Sequence, residues 1–157
     1  MGLEGSAWAV AEARARYAMD IRHHYLDEPL PFDDSSFSAV VCNELLEHLL
    51  PHVAAAVLRE SWRVLRPDGI IVVHSPSRFN KEQAGEATHI NLSTPSELQE
   101  ALLHAGFEDL VGLDEPRMVF GKSWPARALV RLAWRVWPMD WLSATASSIG
   151  RKPSDGS

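Results

Sequence analysis

A single cysteine, Cys42, rules out an internal disulfide framework. No uninterrupted apolar run approaches the roughly 20 residues that cross a bilayer, and no signal peptide precedes the first expected helix. The expected compartment is a reducing cytoplasm. Positive charge is in deficit: Lys and Arg number 15 against 21 Asp and Glu, a formal net charge of −6. That argues against general nucleic-acid binding, which depends on neutralising phosphates. The nine glycines are scattered along the chain. The remaining composition, 46% hydrophobic and 23% charged in 157 residues, suffices for one core and not for two. One domain over residues 1–152 is expected, followed by a disordered tail over 153–157.

The charge is unevenly spread. Residues 1–116 hold 8 Lys and Arg against 19 Asp and Glu, whereas residues 117–152 hold 7 against Asp140 alone. Within that basic part, Trp124 to Trp141 contains four of the six tryptophans, and Arg127, Arg131 and Arg135 are spaced four apart. This spacing forms a basic stripe on a helix beginning near Pro125. Two readings stand side by side for the 118–142 segment: it meets a lipid-like acceptor or an anionic membrane surface, or it packs on the sheet with its basic face outward.

Local patterns predict alternating helices and strands. Ser6 is placed to cap a helix over Ala7 to about Tyr17, packed by Trp8 and Val10. Ile21–Tyr25 reads as a strand. Phe37–Cys42 and Gly69–His74 are short β-branched runs, expected to be strands buried on both faces of a parallel sheet. Between them Pro51 opens an amphipathic helix to Leu65. The stretch from Ser75 to Leu92 is polar and longer than a usual connection, as binding loops often are. Thr94-Pro95-Ser96-Glu97 starts a helix to Ala105, stopped by Gly106, and Phe107–Leu113 and Ser143–Arg151 read as further strands. In an open α/β sheet a ligand binds beyond the carboxyl ends of the strands, here Cys42, Asn43 and Glu44 after one strand and Ser75 after another.

Several stretches in this order resemble class I S-adenosylmethionine-dependent methyltransferases, in the broad group acting on small molecules, quinones and lipids. LPFDDSSF followed by AVV resembles the loop and fourth strand of that fold, and ELLEHL the segment after it. RESWRVLRPDG resembles the helix into the fifth strand, and THINLSTPSELQEALLHAGF the helix before the sixth. The resemblance spans about residues 3–113 and weakens towards Lys152. It implies an α/β fold, an incomplete Rossmann-like methyltransferase sheet with flanking helices, and methyl transfer from S-adenosylmethionine to a small-molecule or lipid-like acceptor.

By the same resemblance, Glu4 in GLEGSAWAV ends the second strand, where the family places an acid that accepts from both ribose hydroxyls of the cofactor. Leu26 and Asp27 stand near the adenine, with the family's acid aligning either there or with Tyr25. Cys42 and Asn43 lie by the methionine part and the transferable methyl. Smaller departures are Ser38, where the family usually has Asp, and Asp68, where it often has Gly. The larger departure is the first strand and its glycine-rich turn, which would precede Glu4. In the family's strand order, 3-2-1-4-5-7-6, that strand is central, so Phe37–Cys42 would expose an apolar edge unless a second copy, a partner chain or a rearranged segment covers it. The resemblance therefore implies a truncated or split methyltransferase. The alternative is a non-catalytic partner subunit or binding module that docks through the open edge or through the Trp-rich segment as a membrane-peripheral protein.

Methyl transfer from a sulfonium needs donor and acceptor held at attack distance, and a general base only where the acceptor must lose a proton. His48 is the candidate base, the alternative being that Glu47 and His48 hydrogen-bond a loop or helix end. His89 is either a substrate contact or a loop-ordering residue. His48 and His52 with Glu47 invite comparison with a metal-binding helix face, but Pro51 intervenes and the acid precedes the first histidine, so no metal site is expected. Cys42 reads as a small buried residue rather than a nucleophile.

Overall fold

A computed structural model describes residues 1–113, 140 and 143–154. The chain opens with strand β1, Gly2–Glu4, helix α1, Ala7–Tyr17, and strand β2, Ile21–His23. Ser6 caps α1 as its sequence signals: its hydroxyl accepts from the Ala9 N–H at 3.2 Å. β1 and β2 pair in parallel, Leu3 opposite Arg22, as a two-stranded sheet. Arg14 fixes this small unit by donating from its guanidinium to the Ile21 carbonyl.

The larger sheet contains strands β3, Phe37–Asn43; β4, Leu65–Pro76; β5, Glu108–Gly112; and β6, Thr145–Arg151. Its order is β3-β4-β6-β5, with β3 and β4 parallel and β6 antiparallel to both neighbours. A crossover through helix α2, Pro51–Val64, joins the parallel pair. Helix α3, Pro95–His104, precedes β5. Pro51 occupies the first turn of α2, where its missing N–H has no partner to lose. α2 buries Ala54, Val57, Leu58, Ser61 and Val64, a spacing of three and four residues that lines one face. Thr94 and Glu97 form a full capping box at the start of α3, side chain to backbone in both directions.

The core lies between the α2 and α3 layer and one face of this sheet: Leu58, Ile71, Val73, Leu102, Phe107 and Ala146 are each at most 2% exposed. Burying each of the larger side chains contributes roughly 1.5–3 kcal/mol. The opposite face departs from the expectation of two-sided burial. Ala39, Val41 and Asn43 on that face of β3 are exposed, Val41 by 68%, and Ile70 on β4 and Val111 on β5 also meet solvent. The physical reason is that α2 and α3 pack on the same side, which leaves these residues of the other face open to solvent among the described residues. Trp8, expected to pack α1, is 74% exposed, and Val10 alone of that pair is buried.

Asp68 has a left-handed backbone, φ 62°, which accounts for the glycine usual at that position. Its carboxylate accepts from Arg151 Nη1 at 2.9 Å, tying the start of β4 to the end of β6. Lys152 is buried just beyond β6, with Nζ donating to the Leu65 carbonyl at 2.7 Å and lying 4.0 Å over the Trp62 ring. The basic, Trp-rich 118–142 segment lies outside the described residues apart from Asp140. No helix among the described residues is long and apolar enough to cross a membrane.

Candidate active site

Two groups of predicted residues sit at strand ends. Glu4 closes β1, and its Oε1 accepts the backbone N–H of Ser6 at 2.8 Å, so the start of α1 orients the carboxylate. Beyond β2, Tyr25 is exposed and meets His23 edge-on at 4.9 Å between ring centres. Leu26 packs on the core, and Asp27 lines a surface pocket with Leu30, Ala56 and Glu60. Arg63 holds the loop that follows. Its guanidinium donates to the Leu30 and Phe32 carbonyls at 3.0 and 2.8 Å and pairs with Asp34 and Glu60.

The second group gathers beyond β3 and β4. Asn43 is exposed at the end of β3, opposite His74. Cys42 stands one residue earlier with its thiol turned to the core, 4% exposed, where burial pushes its pKa up to about 11 and the Ser61 side chain works weakly the other way. Glu44 follows with a left-handed backbone, φ 49°, its N–H donating to the His74 carbonyl at 2.9 Å. That bend turns the chain into a 3-10 turn, Leu46–His48.

Glu47 in this turn is fully buried. Ser75 Oγ donates to its Oε2 at 2.9 Å, while its Oε1 is buried without a hydrogen-bond partner. Above it, the His48 and His89 rings meet at 4.8 Å and 61°. His48 Nδ1 lies 3.1 Å from the Thr88 carbonyl and His89 Nδ1 2.9 Å from the Gln83 carbonyl. A carbonyl only accepts, so each Nδ1 carries a proton, and the tautomer with that proton alone has its lone pair on Nε2. Asn91 stitches the long loop to this turn, its N–H donating to the Glu47 carbonyl at 3.0 Å and its Nδ2 to the Leu46 carbonyl at 3.2 Å.

Electrostatics reflect this crowding. The pKa of Glu44 is raised, first by desolvation and then by the nearby Glu47 carboxylate, with His74 and His89 drawing it down. The His74 and Glu44 side chains approach to 3.3 Å, and His74 Nδ1 meets Ser147 Oγ at 2.7 Å. The structure thus brings together Asn43, His48 and His89 with Glu44, Glu47, His74 and Ser75. His52 lies on α2, outside the cluster. The pairing of His48 with His89 has no local sequence signal, because a loop of some 40 residues' separation in the chain makes it. The spacing of Glu44 and Glu47, three apart before a histidine, is the signal that was there to read.

Comparisons with known proteins bear on the family and the fold. Residues 1–73 match the family model described as a methyltransferase domain. A probable S-adenosylmethionine-dependent methyltransferase of Mycolicibacterium smegmatis is 38% identical over 113 residues, 69% of this chain and 43% of that protein. The chain spans about two fifths of the length of the curated relatives it matches. Among solved structures, a SAM-dependent methyltransferase from Archaeoglobus fulgidus superposes with a TM-score of 0.72 at 15% identity, covering 96% of this chain and 75% of that one. A putative methyltransferase in complex with the Haloferax volcanii Trm112 activator gives 0.66 at 22% identity, covering 97% and 71%. At these identities the structural likeness establishes the fold alone.

Proposed function

We propose that this chain, which belongs to the S-adenosylmethionine-dependent methyltransferases, transfers a methyl from S-adenosylmethionine to a small or lipid-like acceptor. The observation that carries this reading is the strand order. The four-stranded sheet β3-β4-β6-β5 has the order of the 4-5-7-6 half of the family's sheet, and the separate parallel pair β1 and β2 has that of its second and third strands. In that order Glu4 ends the strand whose carboxylate takes two adjacent ribose hydroxyls, for which a two-oxygen acceptor is suited. Tyr25, Leu26 and Asp27 flank the adenine, and Asn43 and the backbone of Cys42 flank the methionine part.

The acceptor then sits against the cluster after β3. Its lone pair forms the bond to the methyl carbon while the carbon–sulfur bond breaks and leaves its pair on sulfur. An acceptor that must shed a proton gives it to the His48 Nε2 lone pair, and His89 contacts the acceptor beside it. The lipid-like character of the acceptor rests on the tryptophans and arginines of residues 118–142.

Isothermal calorimetry with S-adenosylmethionine and its demethylated product tests the assignment. Micromolar binding that weakens at least about tenfold in Glu4→Ala, a loss of ~1.4 kcal/mol, is expected. Absence of heat from a folded protein refutes it. A second reading, a partner subunit docking through β3, is favoured by one observation: that strand is an edge of its sheet with Val41 68% exposed. A stable dimer or hetero-complex with no cofactor binding would support that reading instead.

A further inference from the structure

We propose that Glu47, His48 and His89 bind one divalent transition-metal ion, of the class represented by Zn²⁺ or Co²⁺. One donor atom from each, two imidazole nitrogens and a carboxylate oxygen, lie within 4.8 Å of one another. All three are prepared for that role. Each histidine donates its Nδ1–H to a backbone carbonyl, Thr88 for His48 and Gln83 for His89. This is the outer-shell contact that fixes the tautomer and ring orientation of metal-bound histidines and leaves Nε2 to ligate. Glu47 is held on its other oxygen by Ser75, and its Oε1 is fully buried with no hydrogen-bond partner. A buried carboxylate oxygen in that condition is costly unless a proton donor or a cation meets it. Among the described residues its ion-pair neighbour is His48 Nε2, 4.0 Å away and beyond hydrogen-bond reach.

Glu44 adds a further carboxyl group beside the site, interacting with Glu47 and 3.3 Å from His74. A site this rich in acceptors and this poor in donors favours a positive ion. Imidazole nitrogens with one carboxylate select zinc-like ions over Mg²⁺ or Ca²⁺, which prefer all-oxygen shells. Metal bonds of about 2.0–2.2 Å bring ligand atoms to roughly 3.4 Å in a tetrahedral site, so ligation draws donors now within 4.8 Å of one another together by up to about 1.4 Å. His89 belongs to the long loop between β4 and α3 and His48 is partly exposed, so both rings have room for that movement. Three protein ligands leave a position open for water or for an acceptor oxygen. That last use rests on the methyl-transfer reading, whereas the ion site itself rests only on the three side chains. With the ion bound the His48 Nε2 lone pair is occupied, so the proton-accepting role described above belongs to the ion-free site.

Titration of the full chain with Co²⁺, followed by visible absorption, is the direct test. One equivalent is expected to produce d–d bands that Zn²⁺ displaces and millimolar Mg²⁺ does not. His89→Ala and Glu47→Gln are expected to weaken Co²⁺ binding by more than about 100-fold, the upper end of the loss seen when even an outer-shell partner is removed. His52→Ala should leave it unchanged. His89→Ala keeps the test valid if Glu47→Gln perturbs folding, which circular dichroism reports. Absence of the bands, or bands that survive His89→Ala, overturns the proposal. Cofactor calorimetry is run separately, so the ion site and the methyl-transfer reading can fail independently.

Discussion

The buried thiol of Cys42 makes stability depend on alkaline pH in a direction and size that follow from its surroundings. Burial raises its pKa from an ordinary 9.0 to about 11. An acid whose pKa is higher in the folded state binds its proton more tightly there. Between those two values the folded protein holds a proton that the unfolded chain has released, so stability falls as pH rises. The contribution is fully present below about pH 9 and fully lost above about pH 11. At about 1.4 kcal/mol for each pH step, the two steps amount to roughly 2–3 kcal/mol, an order-of-magnitude figure that needs no solvent discount because the thiol is 4% exposed. Urea unfolding of the wild type and of Cys42→Ala at intervals from pH 8 to 11 isolates this contribution, since tyrosine and lysine titration affects both proteins alike. The wild type should lose about 2–3 kcal/mol more than the variant over that range, although the variant starts lower because it leaves a small cavity. Parallel curves would refute the reasoning, as would rapid reaction of the native thiol with a disulfide reagent at pH 8, because a buried neutral thiol is a poor nucleophile.

Two other contacts lend themselves to measurement. Lys152→Met removes both the bond to the Leu65 carbonyl and the cation over Trp62 while keeping the apolar stem; a loss of roughly 2–4 kcal/mol is expected in urea unfolding, and a loss under 0.5 kcal/mol would show that water replaces both interactions. Arg63→Lys keeps the charge but cannot reach Leu30, Phe32, Asp34 and Glu60 together; hydrogen exchange of the 28–35 amides should quicken severalfold with the core strands unaffected, and uniform protection across that loop would count against the clamp.

What could be read from residues alone was whatever depends on near neighbours in the chain. Ser6 before an alanine-rich run, Pro51 ahead of an amphipathic stretch and Thr94 three residues before Glu97 each supply or spare a hydrogen bond within one helical turn, so the helix starts were legible from the sequence. The β-branched runs at Phe37 and Gly69 likewise announced strands, although the second extends back to Leu65 once it pairs with Phe37. The order of segments also carried the family likeness, and with it the strand order.

Tertiary structure decided what depends on residues far apart. Whether Val41 faces a core or solvent is a matter of what packs on the sheet, and the pattern of a buried strand is the same in either case. Lys152 reads as a surface charge until Leu65 and Trp62 fold around it. Glu47 becomes a buried acid with an unmatched oxygen only when Ser75 and the His89 loop close over the turn that bears it. Side-chain spacing therefore defined the secondary elements of this protein, while the chemistry of its site arose from long-range packing, because a lone pair acquires its function from the groups that surround it.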